Sequence, residues 1–160
     1  GWYKVHKPVE YYAAYFTVRS ENLDGAIAMQ GHQAVRDKMN NIKQKQSVHE
    51  ATAKDEAEFQ TLQIVNEMMA RKIEFLPVDI YKSEAKMFKV EDGKIRLPFS
   101  SLPGVGGAAA DSLAETGKHT EYLSIEDMQI KTKVTKAVIE TLKDVGVLKD
   151  LPESSQMSLF

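Results

Sequence analysis

For most of its length the chain repeats apolar positions at the helical spacing of three and four residues. Val9, Tyr12, Ala13 and Phe16 form one apolar face of a helix opened by Pro8, a residue suited to a first helical turn. Tyr11 and Tyr15 flank that face; aromatics so placed serve either as packing or as a platform on which bases stack. Ile27, Val35, Met39 and Ile42 make the narrow stripe of a second helix, capped by Asn22 or Asp24 and running to about Gln46. Ser47 to Ala51 reads as a loop. Thr52 and Asp55 have the spacing of a capping box, and Phe59, Leu62, Val65 and Met69 mark the buried side of a third helix ending near Lys72. The short loop predicts that the two long helices pair antiparallel.

The pattern changes after Lys72. Phe75 to Ile80 reads as extended chain, with Pro77 opposing helix. Met87 to Val90 and Lys94 to Leu97 flank Asp92-Gly93, a strong signal for a β-hairpin. A subdomain boundary is expected at about residues 73–84. Helical spacing returns after Gly107, with a helix to about Ala114 that stops at Thr116-Gly117. A short helix opened by Ser124 and Asp127 follows. The last helix, capped by Thr132 or Thr135, holds Val138, Ile139, Leu142 and Val145 inside and ends at Gly146. Leu148 to Pro152 closes the fold. The expected class is mainly α, or α+β with one small β-hairpin.

Two stretches carry candidate chemistry. Leu102-Pro103-Gly104-Val105-Gly106-Gly107, followed by three alanines, has the apolar-glycine alternation of a helix-hairpin-helix turn. Small residues let two short helices approach, and glycine tolerates the positive φ of a tight turn. Such a turn aims backbone N–H groups at the start of the next helix, where about half a positive charge favours an anion. Gly104, Val105, Gly106 and Gly107 are therefore candidate DNA-phosphate contacts that read no base; an ordinary glycine break is the plainer reading. The second stretch, residues 131–136, holds three lysines and no acid before a helix start. Lys131, Lys133, Thr135 and Lys136 are its candidates, against plain solvation of a basic turn. Arg36, Lys38, Lys43 and Lys45 form a further basic strip, which fits a solvated helix face or a DNA-facing one.

Composition narrows these readings. The 160 residues suffice for one or two small domains with a core, and 42% hydrophobic with 28% charged residues is a globular composition. A formal net charge of −2 makes any grip on DNA local. The absence of cysteine excludes disulfides and thiolate metal sites, and suits a cytoplasmic setting. No apolar run approaches ~20 residues, so no membrane span is expected. Gly1-Trp2-Tyr3-Lys4 carries neither an initiator Met nor a signal region, and predicts a segment of a longer polypeptide.

At the other end, Glu153-Ser154-Ser155 is a polar tether before Gln156-Met157-Ser158-Leu159-Phe160. An apolar chain end of this kind suits a linear peptide docking into a partner's pocket, or a strap folded onto its own domain. The five residues are similar to the Gln-Leu-Ser-Leu-Phe type of motif that binds the β sliding clamp of bacterial replication, with Met157 in place of Leu. Together with residues 11–19, 75–83 and 102–106, they make the whole chain resemble the C-terminal region of the PolC-type DNA polymerase III α subunit of low-GC Gram-positive bacteria.

That resemblance implies a layout. Residues 1–90 would be the distal part of a polymerase fingers domain and residues 91–152 a helix-hairpin-helix domain holding double-stranded DNA. Residues 153–160 would be a clamp-binding tail. It also implies that the palm carboxylates that hold Mg²⁺, and the main nucleotide-gripping helix of the fingers, lie upstream of Gly1. No catalytic residue, metal or cofactor is then expected in this chain, and the Mg²⁺ belongs to the parent polymerase. One departure is Gly107, where family members commonly carry a polar or basic residue, with Asp111 one turn later. The alternative from another class is a non-catalytic clamp-binding adaptor or a repair protein using the same DNA-binding module.

Overall fold

The computed structural model describes residues 1–154. Its elements, in order, are α1 (Trp2–His6), α2 (Pro8–Val18), α3 (Gly25–Met29), α4 (His32–Ser47), α5 (Ala53–Ala70), β1 (Phe75–Leu76), β2 (Lys89–Glu91), β3 (Lys94–Arg96), α6 (Gly107–His119), α7 (Ile125–Thr132) and α8 (Lys136–Asp144). The class is the expected one, mainly helical with a small sheet. Among the described residues no helix is long and apolar enough to cross a membrane.

The N-terminal helices form as their patterns dictate, with one correction. Tyr12 and Phe16 of α2 are fully buried and stack on each other, so this aromatic face is core; Tyr11 and Tyr15 pack against it half-exposed. The expected second helix is two helices. Asp24 caps α3 by accepting from the amides of Ala26 and Ile27, while Asn22 sits in a 3₁₀ turn before it. The helix then breaks at Gly31, whose φ of +101° only glycine adopts readily. Thr52 and Asp55 form the expected reciprocal capping box on α5. Contacts of His32 with Asn66, Lys38 with Glu58 and Lys45 with Asp55 show α4 and α5 running antiparallel.

A three-stranded sheet, in the order β1-β3-β2, packs against the N-terminal helices α2 and α3. Glu91 pairs with Lys94 across a two-residue turn in which Asp92 and Gly93 both have positive φ, so β2 and β3 form the hairpin that Asp-Gly predicts. The sequence pattern missed that β1 pairs parallel with β3, Phe75 opposite Ile95. Arg96, buried on β3, is held by Glu91 and by the Pro77 carbonyl. Ser83 donates to the Leu97 carbonyl and accepts from the Asp79 amide, which straps residues 77–83 to the strand.

That strap explains a second correction. The third-last helix does not stop at Thr116-Gly117; α6 continues to His119. Gly117 is buried inside it, and a Cβ there would lie 2.2 Å from the Ile80 carbonyl oxygen. The glycine is a close-approach site for α6 against the strap, not a helix end. Of the two threonines that the spacing offers as the cap of the last helix, Thr135 is the one that caps α8, while Thr132 ends α7 with its hydroxyl donating to the Met128 carbonyl.

Glycine to alanine in an open helix stabilises by roughly 1 kcal/mol. Gly117→Ala should do the reverse, costing about 1–3 kcal/mol through overpacking against backbone. A urea titration followed by circular dichroism measures this. A midpoint that rises would mean α6 does not pack on the strap as described.

Candidate nucleic-acid interface

The two candidate turns have the same backbone. Gly104 and Lys133 occupy the left-handed region at φ of +91° and +61°. Val105 and Val134 follow them, both buried. Gly106 and Thr135 come next as extended N-caps, at φ −74°, ψ 171° and φ −75°, ψ 163°. Gly107 and Lys136 then open α6 and α8. In each case the N-cap carbonyl accepts the first bond of its helix, from Ala110 and from Ile139. The residues differ at every position but the valine, yet the chain path is repeated.

The two turns differ in what precedes them and in their caps. The first is preceded by a single 3₁₀ turn, Phe99–Ser101, and the second by α7. Gly106 offers no side-chain cap, so the opening amides of α6 are not satisfied by a cap side chain. Thr135 accepts from the Val138 amide and does not cap the amides of Lys136 and Ala137 that precede it in the first turn. By contrast, the start of α7 is covered by backbone. The Ile125 and Glu126 amides donate to the carbonyls of Pro152 and Glu153, at 2.8 and 3.1 Å. The two hairpins therefore present helix starts that an anion can approach, and α7 does not.

The cations around these turns are unequal. Lys133 and Lys136 are exposed, and neither forms an ion pair among the described residues. Lys133 carries its charge on a non-glycine residue in the left-handed region, a conformation that costs about 1–2 kcal/mol. Lys131 points its ammonium at Asp127, 2.9 Å away, and toward the Glu121 carbonyl. Bonds from the Leu123 amide and then from Lys131 hold the Asp127 carboxyl below its ordinary value. Nothing in the sequence pattern marks Lys86. A Cβ on Gly107 would lie 3.7 Å from its ammonium, so it stands at the mouth of the first hairpin. The Glu84 and Ala85 carbonyls, which accept from the Phe99 and Ser100 amides, hold the preceding residues beside the chain that enters the turn. Asp111 is exposed one turn further along α6.

The basic strip on α4 is engaged elsewhere. Lys38 and Lys45 pair with Glu58 and Asp55 of α5, Lys43 lies over the Phe59 ring, and Arg36 bonds Gln33 of its own helix. Tyr15 is covered by the Arg19 guanidinium at 4.0 Å. Among the described residues no group of three or more His, Asp or Glu side chains could hold a metal ion. The tail positions Gln156, Met157, Ser158, Leu159 and Phe160 lie outside the described residues.

A family model described as the helix-hairpin-helix motif matches residues 72–157, more than half of the chain and both turns within it. The chain belongs to the helix-hairpin-helix motif family. Helix-hairpin-helix membership fits the repeated turn and the buried valine of each. Over its whole length the chain is also 38% identical to DNA polymerase III PolC-type of Thermotoga maritima, and 41% identical to the proteins of that name from Clostridium perfringens and Halalkalibacterium halodurans. It spans 11–12% of the length of these curated relatives.

Proposed function

We propose that this chain is the duplex-holding and clamp-tethering part of a PolC-type replicative DNA polymerase. The observation that carries the first half is the repeated turn, which sets two uncovered helix starts beside Lys86, Lys133 and Lys136. Backbone amides and lysines hold phosphates without reading bases, which suits an enzyme that must move along any sequence. The similarity along the whole chain to PolC-type polymerases favours this over an adaptor or repair protein.

In this reading residues 1–90 belong to the fingers and residues 91–152 hold the duplex. Gly104, Val105, Gly106 and Gly107 form one grip, and Lys133, Thr135 and Lys136 the other. Lys131 contributes less because Asp127 occupies its charge. Lys86 supplies at the first turn the cation that Gly107 does not, and offsets Asp111. Nucleotidyl transfer, its Mg²⁺ and its carboxylates belong to the upstream palm domain of the parent enzyme, and nucleotide gripping to the upstream part of the fingers. The exposed Trp2, Tyr3 and Val5 of α1 give those domains an apolar surface to pack on. Residues 153–160 tether the enzyme to the β sliding clamp, and this raises the local concentration of polymerase at the primer end.

The chain should bind duplex DNA in roughly the 10⁻⁴ to 10⁻⁶ M range, whatever its sequence. Replacing Lys86, Lys133 and Lys136 with Ala should flatten the dependence of log K on log salt by about 0.9 per lost phosphate contact. An unchanged slope would remove these lysines from the interface.

Deleting Gln156 to Phe160 should abolish binding to the β clamp and leave the melting temperature and duplex affinity as they were. Loss of apolar anchors such as Leu159 and Phe160 typically costs at least ~2 kcal/mol, or about thirtyfold. Full clamp binding by the truncated chain would place the docking site elsewhere, and a fall of several degrees in melting temperature would make the tail a strap on its own domain.

A further inference from the structure

The hairpins are locked to each other by residues at the same position along their helices. Ser112 of α6 and Thr141 of α8 lie equally far from Gly107 and Lys136, the first residues of those helices. Ser112 reaches across to the second hairpin, where its hydroxyl donates to the Thr132 carbonyl just before the left-handed Lys133. Thr141 reaches the first hairpin: a Cβ on the left-handed Gly104 would lie 3.3 Å from its Oγ1. That hydroxyl donates to the Ala137 carbonyl of its own helix, which holds the Thr141 side chain in place beside Gly104. Each helix thus places a side chain against the other's turn: Ser112 by a hydrogen bond, and Thr141 close enough that a Cβ at Gly104 would crowd it. Both residues are only half-buried, and the core beneath them is filled by Ala110, Leu113, Ile139 and Leu142.

The geometry points to Ser112 and Thr141 as positioning residues that keep the two turns in register, so that both engage the backbone of one duplex at the same time. This rests on the duplex-holding reading. Two weak grips that are rigidly connected act as one stronger grip, because the second contact is intramolecular once the first is made. A grip whose halves drift apart holds fewer phosphates at once.

The test is fluorescence anisotropy of the intact chain on a short mixed-sequence duplex at several salt concentrations, with melting temperatures measured alongside. Ser112→Ala should weaken binding by about fivefold, the scale of one net hydrogen bond, and should also flatten the salt slope. Ser112→Thr, which keeps the hydroxyl, should restore both. A residue of merely structural importance behaves differently: a smaller folded fraction lowers affinity equally at every salt and leaves the slope alone. Should Ser112→Ala fail to fold, Thr141→Ala removes the opposite lock and should flatten the slope in the same way. Folded variants with the wild-type slope would overturn the positioning role. A wild-type chain with no salt-dependent duplex binding would instead overturn the duplex-holding reading.

Discussion

A left-handed residue followed by a buried valine is the constraint on which both hairpins depend. The positive φ at Gly104 and Lys133 reverses the chain within one residue. The valine after it, Val105 or Val134, anchors the reversed chain in the core. With the path fixed on both sides, the following N-cap is extended and the next helix starts at the surface with its amides outward. Neither anchor works alone, since a reversal without burial would be a mobile loop and a buried valine without reversal would continue inward.

The surrounding fold serves to hold these turns. β3 is paired on both sides, and the strap at residues 77–83 is bonded to it through Ser83 and Arg96. Gly117 lets α6 lie directly on that strap. Next along the chain after the strap, the Glu84 and Ala85 carbonyls accept from the Phe99 and Ser100 amides, which ties the residues before Lys86 to the segment leading into the first turn. At the other end, residues 152–153 cover the start of α7, and Glu153 pairs with Lys143 of α8 at 3.0 Å. Opposite Coulombic and hydrogen-bonding partners raise the Lys143 ammonium above its ordinary value, Glu153 foremost. This pair is exposed and worth little by itself; its place beside the α7 cap is what matters.

Local chemistry was legible in the sequence, and three-dimensional juxtaposition was not. Thr52-Asp55, Asp92-Gly93 and Thr135 form what their spacing predicts because caps and tight turns are decided within a few residues. Gly117 was misread because a glycine that ends a helix and one that admits a neighbouring carbonyl look alike in sequence. Gly31 broke a helix that the apolar stripe carried through it, for the converse reason. Lys86 and the parallel pairing of β1 depend on contacts across the chain that no periodicity records. Lys131 and Lys133 read alike in a basic stretch, and only the fold shows that one of them is paired with Asp127.

In the proposed function the two equivalent turns bind one duplex together. The most direct measurement is a titration of the isotopically labelled chain with a short duplex, followed residue by residue through its amide resonances. The amides of residues 104–108 and 133–137 should shift together, with one midpoint, and those of α4 should not move. Shifts confined to one hairpin, or centred on the lysines of α4, would contradict it.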